Sequence, residues 1–368
     1  MKYFLIVGVF SPVINWCGGA EWVAVDIINA LKEQGHQVVL LSDSPLNQER
    51  FKTIFNRTVS ADKQIIFPLK LFQSNDLKNI YTDAIRLLIL KSKCQVVIDT
   101  FSNAILPGAN VSYIHHPLLR RITVGAPTLR NKLFFVPYQY YLRSSKNNFK
   151  HKLVLANSKF TAEAIKAETG KDAQVLYPPV MSEITPQQRN FDEKRENNVI
   201  TVGRICKGKN LTLIPKIAKL TRKDISFTIA GLLESREIML SLLRSIKELD
   251  LNERVKILTN VKRDELKNVL LSSKVYLHPK IDEHFGISIV EAMALGCTPV
   301  VHNSGGPREF VSRDFRYNNV EEAAKQVEKA IDEWSPIQAR KTSEYTERFD
   351  EKTFSKQFIS IFNSFSAK

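Results

Sequence analysis

Tyr3-Phe-Leu-Ile-Val-Gly-Val9, then Gly18-Gly19, then Gln37-Val-Val-Leu-Leu41: these three pieces decide the fold. The first run is apolar throughout, as in a parallel strand buried on both faces. Between the glycines and the second run, Ala20, Val23, Ala24, Ile27, Ile28 and Leu31 recur at helical spacing, and Gly35 can stop that helix. A buried strand, a crossover helix and a second buried strand make a βαβ unit, so the chain predicts an α/β protein with a parallel sheet.

Working outward, further strands are expected at 95–99, 111–115, 153–157 and 174–177. Pro178, Pro179 and Pro186 then bracket a polar stretch, 181–198, with little periodicity, which reads as a linker. Beyond it a second βαβ series is expected, with strands at 199–202, 226–230, 254–258, 274–278 and 299–302. A length of 368 residues fits two domains better than one. Their expected bounds are 1–185 and 186–349. Phe354, Phe358, Ile359, Ile361, Phe362 and Phe365 put a helix within 350–368, which either caps its own domain or joins the first.

With 43% apolar and 25% charged residues the composition is globular, which excludes a disordered chain, a coiled coil and a collagen. No apolar run reaches the roughly 18–20 residues of a membrane span. The first run lacks a signal peptide's cleavage region, so a cytoplasmic location is expected. Cys17, Cys94, Cys206 and Cys297 are far apart, which fits free thiols and argues against disulfides or a zinc site.

The net charge of +15 implies an anionic partner: nucleic acid, an anionic membrane surface or a phosphorylated substrate. From Thr100 to Ala162 there is no Asp or Glu. That stretch holds Arg120, Arg121, Arg130, Lys132, Arg143, Lys146, Lys150 and Lys152, with Phe134, Phe135, Tyr138, Tyr140 and Tyr141 among them. Cations attracted to an anionic leaflet and aromatics suited to the headgroup boundary predict a peripheral membrane-docking surface. No helix-turn-helix, RNP or zinc pattern supports a nucleic-acid binder.

Ile281-Asp-Glu-His-Phe-Gly-Ile-Ser-Ile-Val-Glu291 is the most specific stretch for chemistry. A strand ends near Pro279, a helix begins near Gly286, and Gly296 stops it. Glu283 falls in the loop and Glu291 about a turn and a half into the helix. The amides of Phe285, Gly286, Ile287 and Ser288 lie at the helix N-terminus, where an anion is favoured. A nucleotide sugar suits this set: one acid for sugar hydroxyls, amides for the diphosphate and one acid for the ribose diol.

In Val199-Ile-Thr-Val-Gly-Arg-Ile-Cys-Lys-Gly-Lys-Asn210, the cations Arg204, Lys207 and Lys209 gather before a helix expected near Asn210. Cations there oppose the helix dipole, so an anion is expected between them. Gly18-Gly19 allows a ligand close to the backbone at another helix N-terminus, although it is not GxGxxG. Tyr113-Ile-His-His-Pro117 ends a strand where ligands bind in open α/β sheets, so His115 could bond a sugar hydroxyl or a backbone carbonyl. There is no DxD pair, no GxxxxGK[ST] loop and no GxSxG elbow. Phosphoryl charge then falls to Arg, Lys and amides, with no metal and no cofactor expected.

These residues resemble the family 4 glycosyltransferases, retaining enzymes of the GT-B fold. Glu283 and Glu291 fit the family's pair of Glu separated by seven residues. Gly203-Arg204 and Lys209-Asn210 fit its GR…KN segment, and Gly305, Gly306 and Glu309 its GGxxE. Glu-His-Phe-Gly-Ile, His-Asn-Ser-Gly-Gly-Pro, Tyr-x-His-x-Pro, Asn157-Ser-Lys-Phe160 and Tyr177-Pro-Pro179 are similar to one subgroup. Those are the GDP-mannose-dependent α-1,2-mannosyltransferases of lipid-linked oligosaccharide assembly. The resemblance is strongest over 199–311. The chain departs from the subgroup in having Cys17-Gly-Gly-Ala20 where a more glycine-rich loop is usual.

The resemblance implies two Rossmann-like parallel-sheet domains facing a central cleft. It implies transfer of a hexose, mannose from GDP-mannose, with retention and without metal, to a polyprenyl-diphosphate-linked glycan on the cytoplasmic face of a membrane. Glu283 would contact the transferred sugar, Arg204 and Lys209 the leaving diphosphate, and Glu291 the ribose. His115 would face the sugar from the first domain. Three rivals differ: a sugar-nucleotide epimerase on the same fold, a UDP-sugar-dependent transferase with a soluble acceptor, and a non-enzymatic nucleic-acid binder.

Overall fold

The computed structural model describes residues 4–68, 79–118, 129–144, 151–180, 191 and 194–367. It divides into two compact units, Met1–Pro179 with Glu351–Lys368, and Val180–Asp350.

The first unit contains strands β1 (Ile6–Phe10), β2 (Gln37–Ser42), β3 (Lys63–Ile66), β4 (Val96–Asp99), β5 (Val111–Ile114), β6 (Leu153–Ala156) and β7 (Gln174–Val175). They form one sheet in the order β3-β2-β1-β4-β5-β6-β7, every pairing parallel. Its helices are α1 (Gly19–Glu33), α2 (Gln48–Phe55), α3 (Ile80–Lys91), α4 (Leu129–Phe134), α5 (Val136–Ser144) and α6 (Lys159–Thr169). Val7, Val9, Val38, Leu40, Val97 and Ile98 are fully buried, as a sheet covered on both faces requires. The short edge strand β3 carries no apolar alternation, so the sequence gives no sign of it.

The acid-free stretch divides between core and surface. Phe135 and Tyr138 are buried, and Phe134 packs edge-on against Tyr81 at 5.1 Å. Lys152 turns inward and donates to the carbonyls of Leu106 and Ala109 at 2.6 and 2.7 Å. These residues therefore do not belong to a docking surface, because their rings and the Lys152 ammonium are already engaged inside the unit. Tyr140 stays exposed, as do Lys132 and Arg143. Arg120, Arg121, Lys146, Lys150 and the side chain of Arg130 lie outside the described residues.

The second unit has β8 (Glu196–Val202), β9 (Ser226–Gly231), β10 (Val255–Thr259), β11 (Ser273–His278), β12 (Thr298–His302) and β13 (Arg316–Tyr317). The order is β10-β9-β8-β11-β12-β13, again parallel throughout. Its helices are α7 (Leu213–Leu220), α8 (Arg236–Glu248), α9 (Arg263–Ser272), α10 (Ile287–Ala294), α11 (Val320–Glu333) and α12 (Pro336–Tyr345). Strand β8 begins inside the polar stretch read as linker. Asn198 is the reason: it is buried, donating to Ser273 Oγ and accepting from Ser226 and Thr228, so a polar residue serves as core.

Both sheets are doubly wound. The direction of winding reverses between β1 and β4 in one unit and between β8 and β11 in the other. Ligands of open α/β sheets bind outside the carboxyl ends of the strands at such a point. Those ends in the second unit are Val202 and His278.

The last helix, α13 (Glu351–Ser366), packs on α1 of the first unit. Phe354, Phe358 and Phe362 recur at four-residue spacing on its buried face. Phe354 meets Tyr113 at 6.4 Å and Phe362 meets His36 at 5.6 Å. Arg57 joins the contact by pairing with both Glu351 and Asp26. Phe358→Ala is expected to cost about 3–5 kcal/mol through the cavity it leaves. Urea unfolding of the full chain checks this, with exposed Asn363→Ala as control. A loss near that of the control would mean that the helix does not belong to this core.

Candidate active site

Two loops after neighbouring strands build the site. The first follows β8. A short 3-10 turn, Lys207–Lys209, comes next and ends at Asn210 in the left-handed region, φ 52°. Helix α7 begins only at Leu213. The basic cluster therefore sits on a turn of its own and not at the start of the helix expected near Asn210, so its cations do not oppose a helix dipole. Of these cations, Lys209 reaches across to the loop after β11.

The second loop follows β11 and carries Glu283, whose carboxylate meets the first loop's Lys209 at 3.2 Å through Oε2. His278 Nε2 lies 3.2 Å from that same oxygen. Lys280 Nζ lies 2.9 Å from Oε1, which also accepts the amide of His284 at 3.0 Å. Each oxygen thus has two donors. Glu283 is 8% exposed. Burial alone would raise its pKa, but the bond from His278 and the charges of Lys209 and Lys280 outweigh it and hold the carboxyl well below its ordinary value of 4.5.

Burial of His278, only 2% exposed, pushes its own pKa down against the pull of Glu283. The imidazole is therefore neutral, and its single proton lies on Nε2, facing the carboxylate. Its ring stacks on Tyr276 at 6.2 Å, and Tyr317 donates to its carbonyl at 3.1 Å.

The glycines of this region are sterically required. A Cβ on Gly305, which has φ +74°, would collide with the Glu283 carbonyl. The amide of Gly306 can thereby donate to that carbonyl at 2.8 Å. Gly286, φ +89°, starts α10, and a Cβ there would strike Ile289.

Gly286, Ile287 and Ser288 open α10, and the amide after them, that of Ile289, donates to the Gly286 carbonyl at 2.9 Å. Phe285 is buried against Phe310 and Phe349, at 5.2 and 5.5 Å. The Tyr276 hydroxyl donates to the Val202 carbonyl at 3.1 Å and accepts from Ser288 Oγ at 2.8 Å, tying the helix start to the end of β8. Glu291 sits 3.6 Å from Arg263, a cation that the sequence did not single out. The far end of α10 is held by three side chains. Ser343 bonds the Ala294 carbonyl at 2.8 Å, buried Arg195 the Leu295 carbonyl at 2.6 Å, and Trp334 the Gly296 carbonyl at 3.1 Å.

Other expected residues lie apart from this cluster. Arg204 is exposed and pairs with Glu234 at 2.9 Å, not with the group around Glu283. In the first unit, Gly18 caps α1, and its amide donates to Glu21 at 2.8 Å, so a carboxylate already occupies the position assigned to a phosphate. The ring of His115 bonds the Thr100 carbonyl through Nε2 at 3.2 Å, the backbone partner rather than a free position. Its amide and that of His116 both donate to Asn103, while Asn157 donates to the His115 carbonyl. Burial lowers the His115 pKa to about 4. Among the described residues no group of three or more His, Cys, Asp or Glu is placed to hold a metal ion.

The model of "Glycosyltransferase Family 4" matches residues 17–183, and that of "Glycosyl transferases group 1" matches 182–350. Among curated proteins, the chain is 29% identical over 234 residues to the GDP-Man:Man(3)GlcNAc(2)-PP-Dol alpha-1,2-mannosyltransferase of Dictyostelium discoideum, covering 56% of this chain and 46% of that protein. The Homo sapiens protein of the same name is 25% identical over 367 residues, with 83% and 74% covered. Less than half the length of the Dictyostelium protein is thus spanned. Among solved structures, Anabaena HepE in complex with UDP and glucose superposes with a TM-score of 0.71 at 17% identity, covering 98% of this chain and 100% of that one. WaaG, a glycosyltransferase involved in lipopolysaccharide biosynthesis, gives 0.71 at 14% identity, covering 97% and 99%. These likenesses carry the fold, two parallel-sheet α/β units of the GT-B kind. With the two family models meeting at residues 182–183, the chain belongs to the family 4, group 1 glycosyltransferases.

Proposed function

We propose that the chain transfers mannose from GDP-mannose, with retention and without a metal ion, to a lipid-linked glycan. The observation that carries this reading is the contact of Lys209 and Glu283 at the switch point of the second sheet. A cation for a leaving diphosphate and an ionised acid for a sugar lie side by side there. The donor and acceptor come from the names of the relatives, which specify GDP-Man and a PP-Dol-linked glycan.

In this reading the bond between C1 of the sugar and the β-phosphate oxygen breaks. The acceptor hydroxyl oxygen bonds to C1 on the same face, and its proton passes to the departing phosphate. Negative charge grows on that phosphate, where Lys209 and Arg204 stabilise it, Arg204 after leaving Glu234. The amides of Phe285, Gly286, Ile287 and Ser288 take further phosphate oxygens. Glu283 contacts the transferred sugar and Glu291 the ribose diol.

The acceptor's lipid implies a membrane, and we assign the docking surface to α4 and α5. Leu129, Leu133, Val136 and Tyr140 follow one another at spacings of four, three and four residues and are all exposed, Leu129 by 73% and Tyr140 by 72%. Exposed Lys132 and Arg143 lie on the same helices, in a stretch without acids. An apolar stripe flanked by cations suits the boundary of an anionic leaflet, here the cytoplasmic one. No described helix is long and apolar enough to cross a membrane.

Glu283→Gln is expected to lower turnover by orders of magnitude without weakening nucleotide binding, whereas Lys209→Ala should cost about 10²–10³ in kcat, as loss of one preorganised charge partner does. Activity should persist in EDTA; strict Mg²⁺ or Mn²⁺ dependence would contradict the cationic leaving-group account. GDP should stabilise the chain more than UDP at equal concentration in a thermal-shift series, and the reverse order would move the donor to a UDP-sugar. His115 is neutral down to about pH 4 when folded. It therefore opposes folding as pH drops from about 6.5 to 4, since the unfolded chain takes up the proton first. His115→Gln should flatten that acid loss in urea titrations, and an unchanged loss would assign it elsewhere. Co-sedimentation with anionic liposomes should weaken as salt rises and fall when Leu129, Leu133 and Tyr140 become Ser together. Indifference to anionic liposomes at low salt would favour a soluble acceptor.

A further inference from the structure

Lys209 cannot serve the diphosphate and Glu283 at full strength together. It already pairs with Glu283 at 3.2 Å, and a diphosphate carries more charge than a carboxylate. A lysine that left an ordinary buried acid would strand a charge, which is costly. Glu283 is built differently. Its Oε2 keeps the His278 donor at 3.2 Å, and its Oε1 keeps Lys280 at 2.9 Å and the His284 amide at 3.0 Å. After Lys209 departs, both oxygens remain bonded and one positive charge remains adjacent.

Anchoring separates the three partners. His278 is fixed on β11 by its stack on Tyr276 and by the Tyr317 bond to its carbonyl. Lys280 is three residues from Glu283 in the same loop. Lys209 reaches across from the other loop on a flexible stem, so it can turn toward a diphosphate without moving the loop that carries Glu283.

We propose that Lys209 is an exchangeable partner, held by Glu283 in the empty site and passed to the donor diphosphate on binding, with His278 and Lys280 as positioning residues that keep Glu283 satisfied and in place once Lys209 has left. This rests on the diphosphate-binding role given to Lys209 above. Glu283 is then a competitor for the cation that holds the donor. Donor binding itself switches Glu283 from a locked ion pair to an acid whose Oε2 has room for a sugar hydroxyl.

Calorimetry on the full chain with GDP and with UDP, as a double-mutant cycle, tests this. Glu283→Gln removes the competitor and should tighten diphosphate binding about 3- to 10-fold, and Lys209→Met should weaken it at least as much. The double variant should bind like Lys209→Met alone, because Glu283 acts only through Lys209. His278→Leu leaves Lys209 as the main partner of Oε2, so it should weaken binding several-fold. His278→Gln keeps a donor of similar reach and should restore binding. In the Glu283→Gln background His278→Leu should lose its effect. A structural role would not give that dependence. The proposal is overturned if Glu283→Gln binds no tighter than wild type. It is equally overturned if the His278→Leu loss persists beside Glu283→Gln, or if His278→Gln is as poor as Leu while unfolding at the wild-type midpoint. A wild type that binds either diphosphate yet transfers no hexose counts against glycosyl transfer alone and leaves the cycle to decide the exchange.

Discussion

A buried carboxylate held charged is the constraint around which the second unit is arranged. Placing Glu283 out of water opposes its ionisation, and only closely placed donors reverse that. Two lysines, a neutral imidazole and one amide do so here. The group's folded pKa lies below its unfolded value, so its contribution to stability is present at neutral pH and is lost as pH falls through the folded value. Such an arrangement matters more for chemistry than for stability, because an apolar replacement would bury more cheaply.

Everything that fixes this carboxylate comes from the doubly wound sheet. Strands β8 and β11 are neighbours, although Val202 and His278 lie 76 positions apart in sequence. Their adjacency brings the Lys207–Lys209 turn beside the Glu283 loop. Gly305, without a side chain, lets a third loop press against the Glu283 carbonyl and bond it. Helix α10 is tied at its start by Tyr276 and at its end by Ser343, Arg195 and Trp334. Glu291 is thereby held on a helix anchored at both ends, as the ribose-binding role proposed for it needs.

Much of this was legible in the chain. The apolar run before Gly18, the strand-to-helix change near Gly286 and the Glu283–Glu291 spacing all depend on local order, and local order is what a sequence displays. The strand edges were not: β3 and β13 are short and lack apolar alternation, and Asn198 hides the start of β8 by burying an amide that finds three partners. The helix expected near Asn210 begins three residues later, because the left-handed Asn210 closes a separate turn. His278 and Lys280 are five and three residues from Glu283, so a carboxylate flanked by cations was there to be read. Tyr276, Arg263 and Arg195 gave no such signal, since only strand adjacency and helix packing bring them in. Arg204 shows the opposite failure, a motif residue whose resting partner, Glu234, is invisible from the motif. The aromatics between Thr100 and Ala162 looked alike in sequence, yet burial divides them, and Tyr140 alone of the five stays fully outside.

The account stands or falls on a retaining transfer at Glu283, and the stereochemistry of the product tests this most directly. The full chain would be incubated with GDP-α-mannose and a lipid-linked glycan acceptor in EDTA, and the new linkage read by proton NMR of the glycan. The account predicts an α-linked mannose formed in step with released GDP, and its absence with Glu283→Gln. A β-linked product, free mannose in place of a glycan adduct, or undiminished transfer by Glu283→Gln would contradict it.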